Sequence, residues 1–304
     1  MILYYAIGGG LGHLVRARAV LHTLGVADRG ALLTASPFAA DPRVVGELPV
    51  IRVPDALDGD RAALRRWLGD LVACLRPERL VADAFPAGVL GELEAGLAVP
   101  MDHVARLLRW PRYARRLDGP LPRIETTFAV EPLHDDQLAA LRSASERVVA
   151  LSLVDPPAPP RDDAAGAALV VHTGPAREVC VLASLAARTG HPVRIARPVG
   201  PDLDVHPASA LFTRAAAIVT AAGFNAVRQA APFGDRHLCL PFPRPLDDQR
   251  ARARAVRGIG SAWSTGRPSS DRWLQAIQPY NHSPATLVAT YRPVTAPLTA
   301  PSAS

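Results

Sequence analysis

His13 ends the run Gly8-Gly9-Gly10-Leu11-Gly12-His13, directly after the apolar stretch Met1-Ile2-Leu3-Tyr4-Tyr5-Ala6-Ile7. Glycines let a ligand approach the backbone, and free N–H groups at a helix start favour polar or anionic groups. A histidine on that first turn can take a proton from a bound hydroxyl. It can equally cap or pack there. Asp83 closes the apolar strand Leu80-Val81-Ala82. In an open parallel sheet both strand ends would reach the edge where ligands sit. An aspartate on one imidazole nitrogen would fix the tautomer and stabilise the imidazolium; it could instead cap the helix that follows. Two more turns, around Gly174 and around Gly223-Phe224-Asn225, end strands and precede helices. Facing one cleft, they would hold a diphosphate; singly, each is ordinary turn chemistry.

The opening loop nearly matches G-x-G-x-x-G, but His13 stands where the third glycine permits close helix–strand packing. The acid expected at the end of the second strand is also missing, with Thr34-Ala35-Ser36 in its place. A nicotinamide cofactor is therefore not expected.

The elements that must position these groups alternate. Apolar strands at 2–7, 30–35, 50–53, 80–83, 99–105, 128–130 and 148–154 are interleaved with helical patterns at 14–24, 60–75 and 88–96. That order implies βαβ units and a doubly wound parallel sheet. Asp155-Pro156-Pro157-Ala158-Pro159-Pro160-Arg161 can be neither helix nor central strand and reads as a semi-rigid linker. The alternation then restarts, with strands at 168–172, 193–196, 217–220 and 237–240 and helices at 176–189, 208–215, 225–231 and 247–256. The expected organisation is a first Rossmann-like domain over 1–155, a second over 162–278, and a partly disordered tail over 279–304.

Composition prunes the chemistry. The 304 residues are 49% hydrophobic and 20% charged, enough for two buried cores. All 34 basic residues are arginine, so a Walker A lysine and a pyridoxal Schiff base are excluded. The net charge of +6 suggests an acidic partner such as phosphate, and the 5% of aromatic residues argues against a nucleic acid. Cys74, Cys180 and Cys239 read as reduced core thiols of a cytoplasmic protein. No apolar run approaches the roughly 18 residues of a membrane span, and no signal peptide is expected. Asp58-Gly59-Asp60 and Asp202-Leu203-Asp204 match D-x-D in turn-like segments, and no metal site is expected from them. His134-Asp135-Asp136 reads as an exposed helix start. The arginine-rich stretch 106–116 reads as a solvated face, with Pro111 interrupting any helix; an anionic lipid surface or a phosphorylated acceptor is the other reading.

Residues 220–253, TAAGFNAVRQAAPFGDRHLCLPFPRPLDDQRARA, resemble the donor-binding signature of the GT-B glycosyltransferases. The Gly-Phe-Asn block, the Leu-Pro strand end and the Asp-Gln block occur in order. GGGLGH resembles the acceptor loop of the same superfamily, which includes the peptidoglycan N-acetylglucosaminyltransferase, and LVADAFPAG its strand ending in Asp. The resemblance implies two Rossmann-like domains facing a cleft. It implies a metal-independent inverting sugar transfer, with no cofactor beyond a nucleotide-sugar donor, UDP-linked. His13 would be the base and Asp83 its orienter, with Gly9, Gly10 and Gly12 forming the acceptor loop. Gly174, Gly223, Asn225, Gln229, Asp248 and Gln249 would form the donor pocket. A small-molecule or lipid-linked acceptor is implied, with peripheral contact to the inner membrane face. A nucleotide-sugar hydrolase on the same fold and a non-catalytic nucleotide-sugar binder are the alternatives.

Overall fold

The computed structural model describes residues 1–94 and 97–260. The first half forms β1 (Ile2–Tyr5), α1 (Leu11–Thr23), β2 (Gly30–Thr34), α2 (Pro42–Val45), β3 (Val50–Arg52), α3 (Arg61–Leu75), β4 (Arg79–Asp83), β5 (Met101–Ala105), α4 (Trp110–Ala114), β6 (Ile124–Ala129), α5 (Asp135–Ala144) and β7 (Ser145–Ala150). Its seven strands are all parallel, in the order β3-β2-β1-β4-β5-β6-β7. Alternation along β1 divides the core. Ile2, Tyr4 and Ala6 face the layer of α1, whereas Leu3 and Tyr5 face the layer of α3. Leu64, Leu68 and Val72, one α-helical turn apart, supply the buried stripe of α3.

The second half forms β8 (Ala168–Val171), α6 (Ala176–Ala187), β9 (Val193–Ala196), β10 (Ala217–Ala221), α7 (Phe224–Ala230), β11 (His237–Leu240) and α8 (Gln249–Gly260). Its four strands are parallel in the order β11-β10-β8-β9. Asp155–Arg161 carries neither helix nor strand. The expected domain end at 278 and the tail over 279–304 lie outside the described residues.

In each sheet the winding reverses at one point, between β1 and β4 in the first and between β8 and β10 in the second. The carboxyl ends of the two strands part there and open a crevice. His13 follows β1, and Asp83 ends β4. The Gly174 turn follows β8, and Gly223 follows β10. Topology alone brings all four to the crevice edges of their sheets.

Several local expectations are corrected. The helix expected over 88–96 is a run of turns where it is described. Gly88 and Gly91 are left-handed, at φ 83° and 84°, which breaks a helix. The buried carboxylate of Glu92 accepts from Val89 N and Leu90 N in place of helical carbonyls, and from Tyr5 Oη at 2.7 Å. Pro111 does not prevent a helix: it lies in the first turn of α4, where its missing N–H costs nothing. The helix expected over 208–215 is a single 3-10 turn, Ala208–Leu211. The three cysteines form no disulfide, but Cys74 and Cys180 are exposed. Each lies off the buried stripe of its helix, so neither is a core thiol. Among the described residues no helix is long and apolar enough to cross a membrane.

Burial pushes His103, His206 and His237 down to about 4, so the fold keeps these imidazoles neutral. In the unfolded chain they titrate near 6.5. Between those values the unfolded state binds more protons, so stability is full above about pH 6.5 and is lost as pH falls toward 4. Urea midpoints measured from pH 7.5 to 4.5 at fixed ionic strength should fall, with these three imidazoles taking up about two protons on unfolding at the acid end. His103→Gln should remove one of them. A flat profile would contradict the buried neutral imidazoles.

Candidate active site

Asp83 is the hub of the first lobe's crevice. Its Oδ2 lies 2.6 Å from His13 Nδ1 and accepts from Arg16 Nη2 at 2.5 Å. Its Oδ1 accepts from Arg16 Nε at 2.7 Å and from Tyr4 Oη at 2.9 Å. The local sequence explains the meeting. His13 and Arg16 stand three residues apart on α1, so both project over one face. That face covers β1 and β4, which are hydrogen-bonded neighbours with Tyr5 level with Ala82. Gly8, at φ 145°, lets the imidazole lie against the loop; a Cβ there would stand 2.6 Å from His13 Nε2. Ala84, just after the carboxylate, is held at φ 65°, a left-handed turn that costs a non-glycine residue roughly 1–2 kcal/mol.

Electrostatics fix the protonation states. Burial alone would raise the Asp83 pKa, but the Arg16 charge and the hydrogen bond from His13 hold it well below the usual carboxylate range. Burial lowers the His13 pKa, and Arg16 and Arg106 lower it further against the opposing pull of Asp83. His13 is therefore a neutral imidazole with Nδ1–H donated to Asp83. Arg16 Nη2, 3.3 Å from that nitrogen, faces it donor to donor and opposes the imidazolium. Nε2 has no hydrogen-bond partner among the described residues, and the side chain keeps 14% exposure. This arrangement can accept a proton from a hydroxyl placed at Nε2.

A second buried network joins the lobes beside the first. Arg252 of α8 binds Glu131 in bidentate fashion at 2.7 and 2.6 Å, donates to Ala222 O, and meets Asp247 at 3.0 Å. Asp247 also accepts from Arg106 at 2.5 Å. Arg106 Nε is buried without a partner, and the guanidinium lies over the Phe85 ring at 5.7 Å. Leu108 and Asp247 pair as an antiparallel bridge, and Arg109 N donates to Leu246 O.

The expected donor residues fall into three places. Asn225 reaches the first lobe, its Nδ2 donating to Gly12 O at 2.7 Å, while its Oδ1 is buried and unpaired. Gly223 opens α7, with free space where a side chain would stand. Gly9 and Gly10 are exposed on the facing loop. Gln229 turns to the linker instead, donating to Asp155 at 3.1 Å beside Arg228. Gly174 faces a separate cluster, in which His172 Nε2 lies 2.8 Å from Glu178, and Glu178 binds Arg244. His172 also stacks on Phe242. A Cβ at Gly174 would stand 2.4 Å from the His172 ring, so a larger residue would displace that ring. Asp248 caps α8 through Ala251 N and meets His134 across the lobes at 3.2 Å. Gln249 is buried and accepts from Phe242 N, so it braces the Phe242 loop.

Of the D-x-D segments, Asp60 caps α3, while Asp202 and Asp204 bind Arg194 and Arg43. Arg16, Glu131 and Asp247 belong to the site and were not singled out by the sequence; Arg106, read with 106–116 as part of a solvated face, is instead buried, as are Leu107, Leu108, Trp110 and Tyr113. Two signals were present: Arg16 sits at helical spacing from His13, and Glu131 follows a strand end as Asp83 ends one.

No protein-family profile matches the chain, and no curated protein sequence does. Solved structures do. The spinosyn rhamnosyltransferase SpnG complexed with thymidine diphosphate aligns at TM-score 0.52 and 17% identity, over 95% of this chain and 99% of that one. The Streptomyces sp. SF2575 glycosyltransferase SsfS6, also with thymidine diphosphate, aligns at 0.57 and 13%, over 95% and 98%. The S. aureus MnaA–UDP structure aligns at 0.54 and 14%, over 92% of each chain. With these neighbours and the two switch points, the fold is the GT-B architecture of paired Rossmann-like domains.

Removing the Arg16 charge should let His13 hold its proton more tightly. In Arg16→Met the His13 imidazole titration, followed by NMR, should move up by roughly one unit or more. Arg16→Lys keeps a charge there and should move it less. An unmoved His13 titration in Arg16→Met would show that the guanidinium does not set its basicity.

Proposed function

We propose that the protein transfers a sugar from a nucleoside-diphosphate sugar, UDP- or TDP-linked, to an acceptor hydroxyl, with inversion at the anomeric carbon. One observation carries the reading. A neutral His13 is anchored through Nδ1 to a buried carboxylate, with Nε2 free, at the crevice between β1 and β4 that the second lobe faces through Asn225. Nε2 takes the hydroxyl proton as the acceptor oxygen attacks the anomeric carbon and the bond to the diphosphate oxygen breaks on the opposite side. Asp83 stabilises the imidazolium.

Backbone N–H groups at the Gly223 and Gly174 turns meet the leaving diphosphate, and no metal takes part in this assignment. Of the buried side-chain atoms without a partner among the described residues, Arg106 Nε and Asn225 Oδ1 belong to residues at the junction of the lobes and are assigned here to ligand atoms. Gln229 and Gln249, already engaged within the protein, contribute to the donor site by holding its walls. The SpnG and SsfS6 structures contain thymidine diphosphate and the MnaA structure UDP, which supports this donor class.

Thermal-shift screening of UDP, TDP and GDP should rank the nucleotides, since a ligand of the folded state stabilises it by RT ln(1 + [L]/Kd). Gly223→Trp should abolish the shift of the best one. His13→Ala should keep that shift and lose at least 100-fold in sugar transfer. Full transfer by His13→Ala would remove the base assignment. Sugar release to water without any acceptor would mark a hydrolase, and binding without turnover a sensor.

A further inference from the structure

A groove of about 720 Å³ crosses from one lobe to the other beside Asp248. Arg109, Arg112 and Arg115 line it from the first lobe, and Arg250 and Arg254 from α8. The spacing makes the wall: Arg109 and Arg112 are three residues apart around α4, and Arg250 and Arg254 are one turn apart on α8. Among the described residues, none of these five side chains makes a hydrogen bond or an ion pair. Other guanidiniums are engaged, among them Arg16 by Asp83, Arg43 by Asp204, Arg228 by Asp155 and Arg244 by Glu178, so what sets these five apart is that they converge on one concave surface.

Three carboxylates share the groove, and two of them are spent locally. Asp136 accepts from Gln137 N, and Asp248 from Ala251 N and His134. Arg109 also lies within electrostatic reach of Asp248, but five guanidiniums against three carboxylates leave an excess of positive charge over a concave surface. An arginine fork matches a phosphate in bidentate geometry. The walls come from the segments after β5 and β6 and from the start of α8. The groove therefore opens at the carboxyl edge of the first sheet, the edge that carries His13.

We propose that this groove binds the phosphate of a phosphorylated acceptor, held by arginines of both lobes. The assignment to an acceptor rests on the transfer reading given above; the anion site itself does not. Arg109 and His134 lie at the junction with Asp248, so the bound phosphate sits against the start of α8, and the acceptor's remaining atoms extend along the sheet edge. Two sources carry this chemistry, a soluble phosphate ester and a lipid phosphate.

The test uses the full chain and charge reversals on each wall, Arg112→Glu/Arg115→Glu and Arg250→Glu/Arg254→Glu. All four sites are exposed, so both variants should fold. Inorganic phosphate, titrated by NMR at constant ionic strength, should perturb the groove of the wild type. Each double variant should weaken its binding at least tenfold while leaving the UDP thermal shift unchanged. Co-sedimentation with phosphatidylglycerol vesicles but not with phosphatidylcholine, lost in both variants, assigns a lipid phosphate. Phosphate binding without sedimentation assigns a soluble ester. Absence of phosphate binding in the wild type, or equal binding in either double variant, overturns the proposal. So does loss of the UDP shift in the variants, which would give the groove to the donor. A wild type that binds phosphate here but shows no shift with any nucleotide leaves the anion site standing and removes the donor reading.

Discussion

A carboxylate buried as deeply as Asp83 can hold its charge only if the surroundings replace water, and here they do so completely. Two N–H groups of Arg16, one of His13 and the hydroxyl of Tyr4 occupy its two oxygens. A buried ion pair of this kind repays its desolvation only when the geometry is good and the remaining lone pairs are satisfied. That condition constrains everything around it. β1 and β4 must be neighbours, α1 must begin just beyond β1, and the loop between must be glycine for the imidazole to lie against it. The histidine in turn has one orientation and one tautomer. Its basicity is set by a balance in which Asp83 favours the charged ring while burial, Arg16 and Arg106 oppose it.

The second lobe is held to this hub at the same edge. Phe224 packs into the core beside α1, with Arg16 5.6 Å from the centre of its ring. Leu246 fills an apolar cluster with Phe85, Leu108, Trp110 and Tyr113. Around these two apolar contacts run the polar ones: Asn225 to Gly12, Arg252 to Glu131, Arg106 to Asp247 and Arg43 to Asp204. The apolar contacts supply non-directional attraction, and the polar ones fix register. The Gly223 turn is thereby kept against the loop that carries His13, since Asn225 is only two residues further on.

What could be read from the sequence follows from where its signals lie. Periodicity located most strands of both sheets, because parallel strands buried on two faces are continuous apolar runs; β6 and β7, which carry Glu125, Thr126, Glu146 and Arg147 within them, begin at 124 and 145, earlier than the expected 128 and 148. The His13–Asp83 encounter was legible because strand ends of one sheet share an edge. The connection after Asp83 was not, because Glu92 satisfies backbone donors there through its side chain, and a carboxylate doing so leaves no periodic trace. The short α4 was hidden by Pro111, which breaks helices in their interior but not in their first turn. The Asp-Gln pair showed that something is fixed at 248 and 249 but not what. Gln249 is spent on Phe242 N, and it is Asp247, one residue earlier, that carries the contacts to Arg106 and Arg252. Glu131 and Arg252 lie 121 residues apart and meet only because the lobes dock, which no local pattern encodes.

The lysine-free composition is less neutral than it first looks. Arg252 places Nε and Nη2 on Glu131 and Nη1 on Ala222 O, spanning two elements at once. An ammonium offers its donors from a single atom and could not reach both. Arg16 likewise covers both oxygens of Asp83. At these buried positions the planar fork is a structural requirement, and truncating it would strand a carboxylate in the interior, a loss of roughly 3–5 kcal/mol. On the walls of the interlobe groove, at Arg112, Arg115, Arg250 and Arg254, the same side chain is exposed and makes no ion pair; surface charges of this kind are worth little to the fold, typically below about 1 kcal/mol. Burial, rather than residue type, separates the arginines that hold this molecule together from those free to meet something outside it.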